Sequence, residues 1–208
     1  MTERFRAGVA LVLCAPSGTG KTTLVRRLAH EFPRFAFSIS CTTRSPRPGE
    51  VDGRDYLFLS REKFVALREQ GHFAEWAEVH GNLYGTPLLA ARELLAAGRD
   101  LLFDIDVQGA AQLKNTLPQA KFVFLLPPSL AELKARLRGR GSETEESLAR
   151  RLENAKKELA QASWFDFWII NDDLELAYQE LVAVYRAISL APGARSDFVT
   201  LLLQEWSS

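Results

Sequence analysis

VALVLCAPSGTGKTTLVRRLAHEFP, residues 9–33, decides the fold. Residues 9–14 are an unbroken apolar, β-branched-rich run, the pattern of a strand buried on both faces of a parallel sheet. From Thr22 the apolar positions Leu24, Val25, Leu28, Ala29 and Phe32 fall at helical spacing until Pro33 stops them. Between strand and helix stands APSGTGKT, residues 15–22, which matches the phosphate-binding loop G-x-x-x-x-G-K-[ST] except that Ala15 replaces the first glycine. Gly18 and Gly20 let successive N–H groups curl around a phosphate, and the helix start adds its positive end. Lys21 brings a point charge to the β- and γ-phosphates, and Thr22 can hold a magnesium ion. The plainer alternative is a glycine-rich turn with a surface lysine, but the strand before and helix after are what a phosphate loop requires.

The same alternation returns downstream. Residues 100–106 (DLLFDID), 121–126 (KFVFLL) and 164–170 (WFDFWII) read as strands, with helical patterns between them. Ser129 with Glu132 is a capping box opening a helix through Leu137, and Leu148, Leu152, Ala155 and Leu159 form one stripe of the next. Strands alternating with helices imply βαβ units, a parallel sheet and the α/β class. Asp104 and Asp106 are two apart and so share a face near the carboxyl end of a strand, where such sheets bind ligands. One of them can anchor a magnesium shell; otherwise both are solvated charges. Residues 36–85 break the rhythm with short strand-like pieces, including AFSISC, and turn chemistry, as a small inserted β-rich unit would. Residues 139–147 (GRGSETEES) suggest a lid, and the tail from Ala191 suggests a last helix.

Composition narrows the classes. With 208 residues and 47% apolar side chains the chain can bury a real core. Lys plus Arg number 26 and Asp plus Glu 26, so the broad basic field of a nucleic-acid binder is missing and any anion site must be local. Two cysteines, Cys14 and Cys41, make no disulfide framework and suit a reducing compartment. Arg4 and Arg6 before the apolar run imitate a signal peptide, but the run is short, lacks a small-x-small cleavage site and flows into the glycine loop. No stretch approaches the roughly 18 apolar residues that span a bilayer. The expectation is a soluble cytoplasmic protein, monomer or homodimer, without membrane or nucleic-acid partners.

A second substrate is suggested by residues 38–50, where Arg44 and Arg47 are held apart by a proline-stiffened turn and suit a dianionic phosphate, unless the segment is only an exposed basic loop. Here the chain as a whole resembles the guanylate kinase family. APSGTGKTTL, FSISCTTRSPRPGE, DGRDY, FAEWAEVHGNLYGT, LLFDIDVQG, RLRGRGSETEESLARRL and IINDD stand in that family's order and spacing, from about residue 9 to 190. The resemblance implies a P-loop nucleoside monophosphate kinase-like core with an inserted β-rich nucleotide-binding subdomain and a helical lid. The core would span about 1–35, 86–128 and 160–190, the insert 36–85, the lid 129–159 and the tail 191–208. It implies transfer of the ATP γ-phosphoryl group to GMP or dGMP, with Mg2+.

Residue by residue, the resemblance puts Ala15, Pro16, Ser17, Gly18, Thr19, Gly20, Lys21, Thr22 and Thr23 on ATP, with Asn171 on its adenine side. Asn-Asp-Asp before a helix is equally a capping signal. Thr22 and Asp104 would serve the metal. Arg44, Arg47, Tyr56 and Tyr84 look like the clamp on the GMP phosphate, and two guanidinium forks with two phenols do suit its oxygens. Ser40, Glu75, Thr86 and Asp106 match the guanine-reading positions. Guanine donates at N1 and N2 and accepts at O6, so a carboxylate and a hydroxyl fit it, whereas adenine leaves the carboxylate unpaired. Glu78 rivals Glu75, and only the resemblance chooses between them. Thr86 stands where the family has serine, and Thr86-Pro87 is also a good cap pair for the next helix. Arg136, Arg140 and Arg151 match catalytic lid arginines alongside Lys21 and Arg44; the bland reading pairs them with Glu143, Glu145 and Glu146 on a helix face. No general base is needed, so His30, His72 and His80 are left as structural or surface residues. The alternatives are a kinase of another phosphate ester, such as a ribose bisphosphate, and an inactive guanylate-kinase-like interaction module, which typically loses the loop lysine.

Overall fold

The computed structural model describes residues 6–36, 38–79, 81–139 and 144–206. In chain order the elements are β1 (Ala10–Cys14), α1 (Lys21–Glu31), β2 (Phe35–Ala36), β3 (Cys41–Thr42), β4 (Leu57–Phe58), α2 (Arg61–Glu69), β5 (Phe73–Val79), β6 (Asn82–Pro87), α3 (Leu88–Ala96), β7 (Asp100–Asp104), α4 (Val107–Thr116), β8 (Lys121–Leu126), α5 (Leu130–Arg138), α6 (Glu145–Leu159), β9 (Phe167–Ile170), α7 (Leu174–Leu190) and α8 (Ser196–Trp206).

Strands β2-β7-β1-β8-β9 form a parallel sheet in that order. Alternation along β1 sends Ala10, Val12 and Cys14 into one apolar layer, with α3 and α4, and Leu11 and Leu13 into the other, with α1 and α7. Truncating such a fully buried leucine to alanine costs about 2–5 kcal/mol, so the central strand is rigidly held. That rigidity reaches the site. Leu13 lies in register with Asp104, which places the glycine loop and the end of β7 side by side at the carboxyl edge of the sheet.

The second sheet, β4-β3-β6-β5, is mostly antiparallel and packs around Cys41, Phe64, Phe73 and Leu83. Phe64 and Phe73 stack with centroids 4.4 Å apart. Gly85 makes this possible, since a Cβ there would stand 2.9 Å from Phe73 Cδ1 and 3.0 Å from Phe64 Cζ. Gln112 of α4 joins the two parts, accepting from the Trp76 N–H at 3.1 Å and donating to its carbonyl at 2.9 Å.

Four expectations need correction. The strand expected over 100–106 ends at Asp104, because Asp106 leaves the sheet to cap α4, accepting from the Gly109 N–H at 2.8 Å. The strand expected over 164–170 begins at Phe167; Trp164 belongs to a single 3-10 turn, Ala162–Trp164. AFSISC is split between sheets, Phe35–Ala36 pairing with β7 and Cys41–Thr42 with β4 and β6. Thr86 lies within β6 and does not cap α3, whose N-cap is Pro87 with no side-chain bond.

The capping box at Ser129 is half formed. Its hydroxyl accepts from the Glu132 N–H at 3.1 Å, while the Glu132 carboxylate turns to Arg136. Helix α6 begins inside the stretch expected as a lid loop, with Thr144 accepting from the Ser147 N–H; residues 140–143, and His80, lie outside the described residues. Leu133 and Leu137 of α5 pack on Leu148 and Ala155 of α6. Among the described residues no helix is long and apolar enough to cross a membrane.

Candidate nucleotide-binding cleft

The glycine loop is braced from three sides. Thr19, wholly buried, donates its hydroxyl to the Pro16 carbonyl at 2.7 Å. Gly18 and Gly20 both take φ of +91°, where any side chain is strained, and a Cβ on Gly20 would lie 2.5 Å from Asn171 Nδ2. Asn171, 3% exposed after β9, donates Nδ2 to the Thr19 carbonyl at 2.6 Å. Its own carbonyl accepts from Arg136 Nη1 at 3.0 Å, which ties α5 to the loop. Asn171 does not cap α7, where Asp173 does so; one of its amide N–H groups holds the loop.

Lys21 reaches across the mouth of the loop to β7, donating to the Ile105 carbonyl at 3.0 Å and lying 2.7 Å from Asp104 Oδ1. Thr22 and Thr23 are exposed on the first turn of α1, with Ser17 exposed before them, while Pro16 is buried and Ala15 packs on the α1 and α7 layer. Behind them burial pushes the Cys14 thiol up to about 12 and that of Cys41 to about 11, so both stay protonated and unreactive.

A cavity of about 460 Å3 opens between the two sheets. Lys21 and Asp104 line it beside the glycine loop, and Ser40, Tyr56, Glu75, Tyr84, Thr86 and Asp106 line it as well, with Asp106 close to Glu75. Strand alternation sorts the acids of β5. Glu75, Ala77 and Val79 face the cavity, whereas Glu78 points away and pairs with Arg61 at 3.4 Å. Glu75, 8% exposed, accepts from the Thr86 hydroxyl at 2.6 Å. Burial raises its carboxyl above the usual range, the Thr86 bond pulls it down, and the Asp106 charge pushes it up.

The clamp arginines are less gathered. Arg44 holds Glu50 with both prongs, at 2.9 and 3.0 Å, and its guanidinium stands 5.4 Å from the Tyr56 ring centre. Glu50 raises Arg44, which in turn holds Glu50 below the usual carboxylate range. Tyr56 and Tyr84 lie edge to face with centroids 6.2 Å apart. Arg47 contributes its backbone N–H to Glu50 at 2.7 Å, and its side chain is exposed and lines no part of the cavity. Arg136 sits over the loop, Arg151 is half-buried on α6, and Arg140 lies outside the described residues.

Three residues escaped the sequence reading. Ser38 lines the cavity, and its buried hydroxyl has no hydrogen-bond partner among the described residues. Glu50 occupies Arg44. Glu158, half-buried on α6, has its carboxyl raised by burial, lowered by Lys21 and raised by Asp106. Glu158 stands seven residues after Arg151, one helical face, and that spacing was the available signal.

Among the described residues no group of three or more His, Cys, Asp or Glu could hold a metal by itself. Thr22 and Asp104 offer hard oxygen donors beside Lys21. Such a pair fits Mg2+, which keeps most of its waters and borrows substrate phosphate oxygens.

Comparison with known proteins agrees with this geometry. The family model described as "Guanylate kinase" matches residues 8–188. The chain is 63% identical to the guanylate kinase of Oleidesulfovibrio alaskensis over 203 residues, 98% of each chain. It is likewise 63% identical to that of Nitratidesulfovibrio vulgaris over 204 residues, 98% of this chain and 99% of the relative. Among solved structures, a guanylate kinase from Anaplasma phagocytophilum superposes with a TM-score of 0.68 at 32% identity, covering 95% of this chain and 94% of that one.

Proposed function

The chain belongs to the guanylate kinase family, and from that membership we propose that the cleft between its two sheets is where the γ-phosphoryl group of ATP meets the phosphate of GMP or dGMP. The chain is an enzyme that phosphorylates GMP with ATP. The observation that carries the assignment of residues is the single cavity joining Lys21 and Asp104 to Glu75 and Thr86.

The ATP tail lies in the loop of residues 15–23, against its N–H groups, the start of α1 and Lys21. Asn171 and Arg136 hold that loop in shape. Thr22 and Asp104 would hold Mg2+, which when bound neutralises charge on the β- and γ-phosphates. At the far end Glu75 accepts from guanine N1 and N2, while Ser40, Thr86 and Asp106 complete the base site. Adenine there would leave the buried Glu75 carboxylate facing an acceptor, which supports discrimination of roughly 10⁴-fold. A sugar phosphate would bring hydroxyls but not the paired N–H donors of the guanine edge.

Arg44, Arg47, Tyr56 and Tyr84 grip the GMP phosphate. For Arg44 this means sharing or leaving Glu50, and for Arg47 a swing inward from solvent. The acceptor oxygen is already ionised, so no side chain has to remove a proton. Catalysis is positioning plus charge stabilisation by Lys21, Arg44, Arg136, Arg140 and Arg151, with water excluded. The sheet of β3 to β6 serves as the monophosphate-binding insert and α5 with α6 as the lid, whose closure completes the site. We place the enzyme in the cytoplasm as a monomer or homodimer acting on small molecules alone.

The test is a coupled assay of ADP release with GMP, AMP, dTMP and UMP at equal concentration. Turnover confined to the guanine nucleotide supports the assignment, and equal rates with AMP and GMP overturn it.

A further inference from the structure

Asp100 opens the strand that Asp104 closes, and at this opposite end of β7 lies a second pocket, of about 350 Å3. Four arginines meet there. Arg6, Arg34, Arg186 and Arg195 line it together with Phe32 and Tyr185, and no carboxylate is among its described lining residues. Behind it Asp100 is wholly buried and already engaged. Its carboxylate accepts from the Val9 N–H at 2.9 Å, from the Tyr185 hydroxyl at 2.6 Å and from Arg6 Nη2, with Arg34 Nε 3.5 Å away.

Two guanidinium groups thus lean on one carboxylate, and two more stand in front of it. The Arg6 side chain is 7% exposed, yet its Nη1 is buried without a hydrogen-bond partner among the described residues, and Arg34 Nε has only its longer ion pair with Asp100. Burying a cationic donor without an acceptor is costly, and natural proteins keep such an arrangement where an anion completes it. All four cations are arginines, whose planar forks suit the oxygens of a phosphate rather than a single point charge. The volume falls in the roughly 300–1,000 Å3 range of small-molecule sites.

We propose that this pocket binds the phosphate group of a small phosphorylated molecule, at a site separate from the catalytic cleft. Arg186 and Arg195 close over the oxygens from α7 and the turn after it, while Arg6 and Arg34 add positive charge from the pocket wall. Phe32 and Leu190 add apolar wall beside the arginines.

The test uses the full-length protein with 15N-labelled arginine, following the side-chain Nε–H resonances, assigned by single substitutions, during titration at constant ionic strength. One arm adds inorganic phosphate, another ribose 5-phosphate, and a control adds chloride. Saturable shifts of Arg186 and Arg195 with a common midpoint are expected in at least one phosphate arm, and the tighter arm identifies the source. Arg186→Gln and Arg195→Gln, which leave the Arg6–Asp100 pair intact, should each weaken that binding at least tenfold, with kcat/KM for GMP within twofold of wild type. Linear shifts matching chloride would overturn the proposal, and so would saturable shifts that survive both substitutions.

Discussion

Thr86 donates its hydroxyl hydrogen to Glu75 Oε1 across 2.6 Å, and the two residues face each other on the antiparallel strands β5 and β6. One carboxylate oxygen of a nearly buried acid is thereby fixed in place by the sheet itself. The other, Oε2, lies against Gly109, where an added Cβ would come within 3.3 Å. The acid that is to read a base is therefore held by a neighbour on the next strand and has no ion pair among the described residues. Its charge becomes favourable when donors arrive.

Thr86→Val removes the donor that orients Glu75. KM for GMP should rise by about ten- to a hundredfold, matching a lost hydrogen bond to a charged group of roughly 1.5–3 kcal/mol, while KM for ATP stays unchanged. Thr86→Ser should restore most of it. Steady-state kinetics in both nucleotides decide this, and an unaltered GMP KM in the valine variant would show that Thr86 positions nothing.

Burial raises the Glu75 carboxyl above its ordinary 4.5. The folded protein then keeps that proton to higher pH than the unfolded chain. The group's contribution to stability is fully present below 4.5 and is lost as pH rises through the raised value. Urea unfolding of wild type and Glu75→Gln between about pH 4 and 8 should show the variant gaining relative stability with rising pH. Parallel curves would mean that the carboxyl is not raised.

Lys21→Met should lower kcat by about 10²–10³-fold, the usual loss when one charge-stabilising donor is removed. Stability should change by less than about 1 kcal/mol, because the Lys21–Asp104 pair is partly exposed. Near-normal turnover in this variant would remove the loop lysine from the chemistry.

Asn171→Asp sets an acceptor against the Thr19 carbonyl in a buried place. A loss of about 1–3 kcal/mol in unfolding free energy is expected, with KM rising for ATP and not for GMP. Equal rises in both would show that Asn171 supports the fold generally rather than the loop.

Much of this was legible beforehand, for physical reasons that differ by residue. Residues 9–33 switch from a continuous apolar run to helical spacing across a glycine turn, so loop and lysine were readable. Asp104 and Asp106 were readable as a pair, yet not that Asp106 would leave the strand to cap α4, because capping depends on where the strand stops. Alternation puts Glu75 and Glu78 on opposite faces, but the pattern did not say which face meets the cavity, since a register shift between Phe73 and Glu75 leaves Phe73, Ala74 and Glu75 all buried. The two-residue strand β2 carries too little periodicity to be seen, and it joins a sheet remote from the segment that follows it. That Asn171 also braces the loop was not readable, because the Thr19 carbonyl it bonds lies 152 residues earlier in the chain.

The most direct measurement is the ratio of kcat/KM for GMP to that for AMP in wild type and in Glu75→Gln. The predicted result is a ratio of roughly 10⁴ in wild type that collapses by about two orders of magnitude in the variant, through loss with GMP and not through misfolding. A ratio left unchanged by the substitution would contradict the assignment of Glu75 as the acid that recognises guanine, and with it the two-ended cleft.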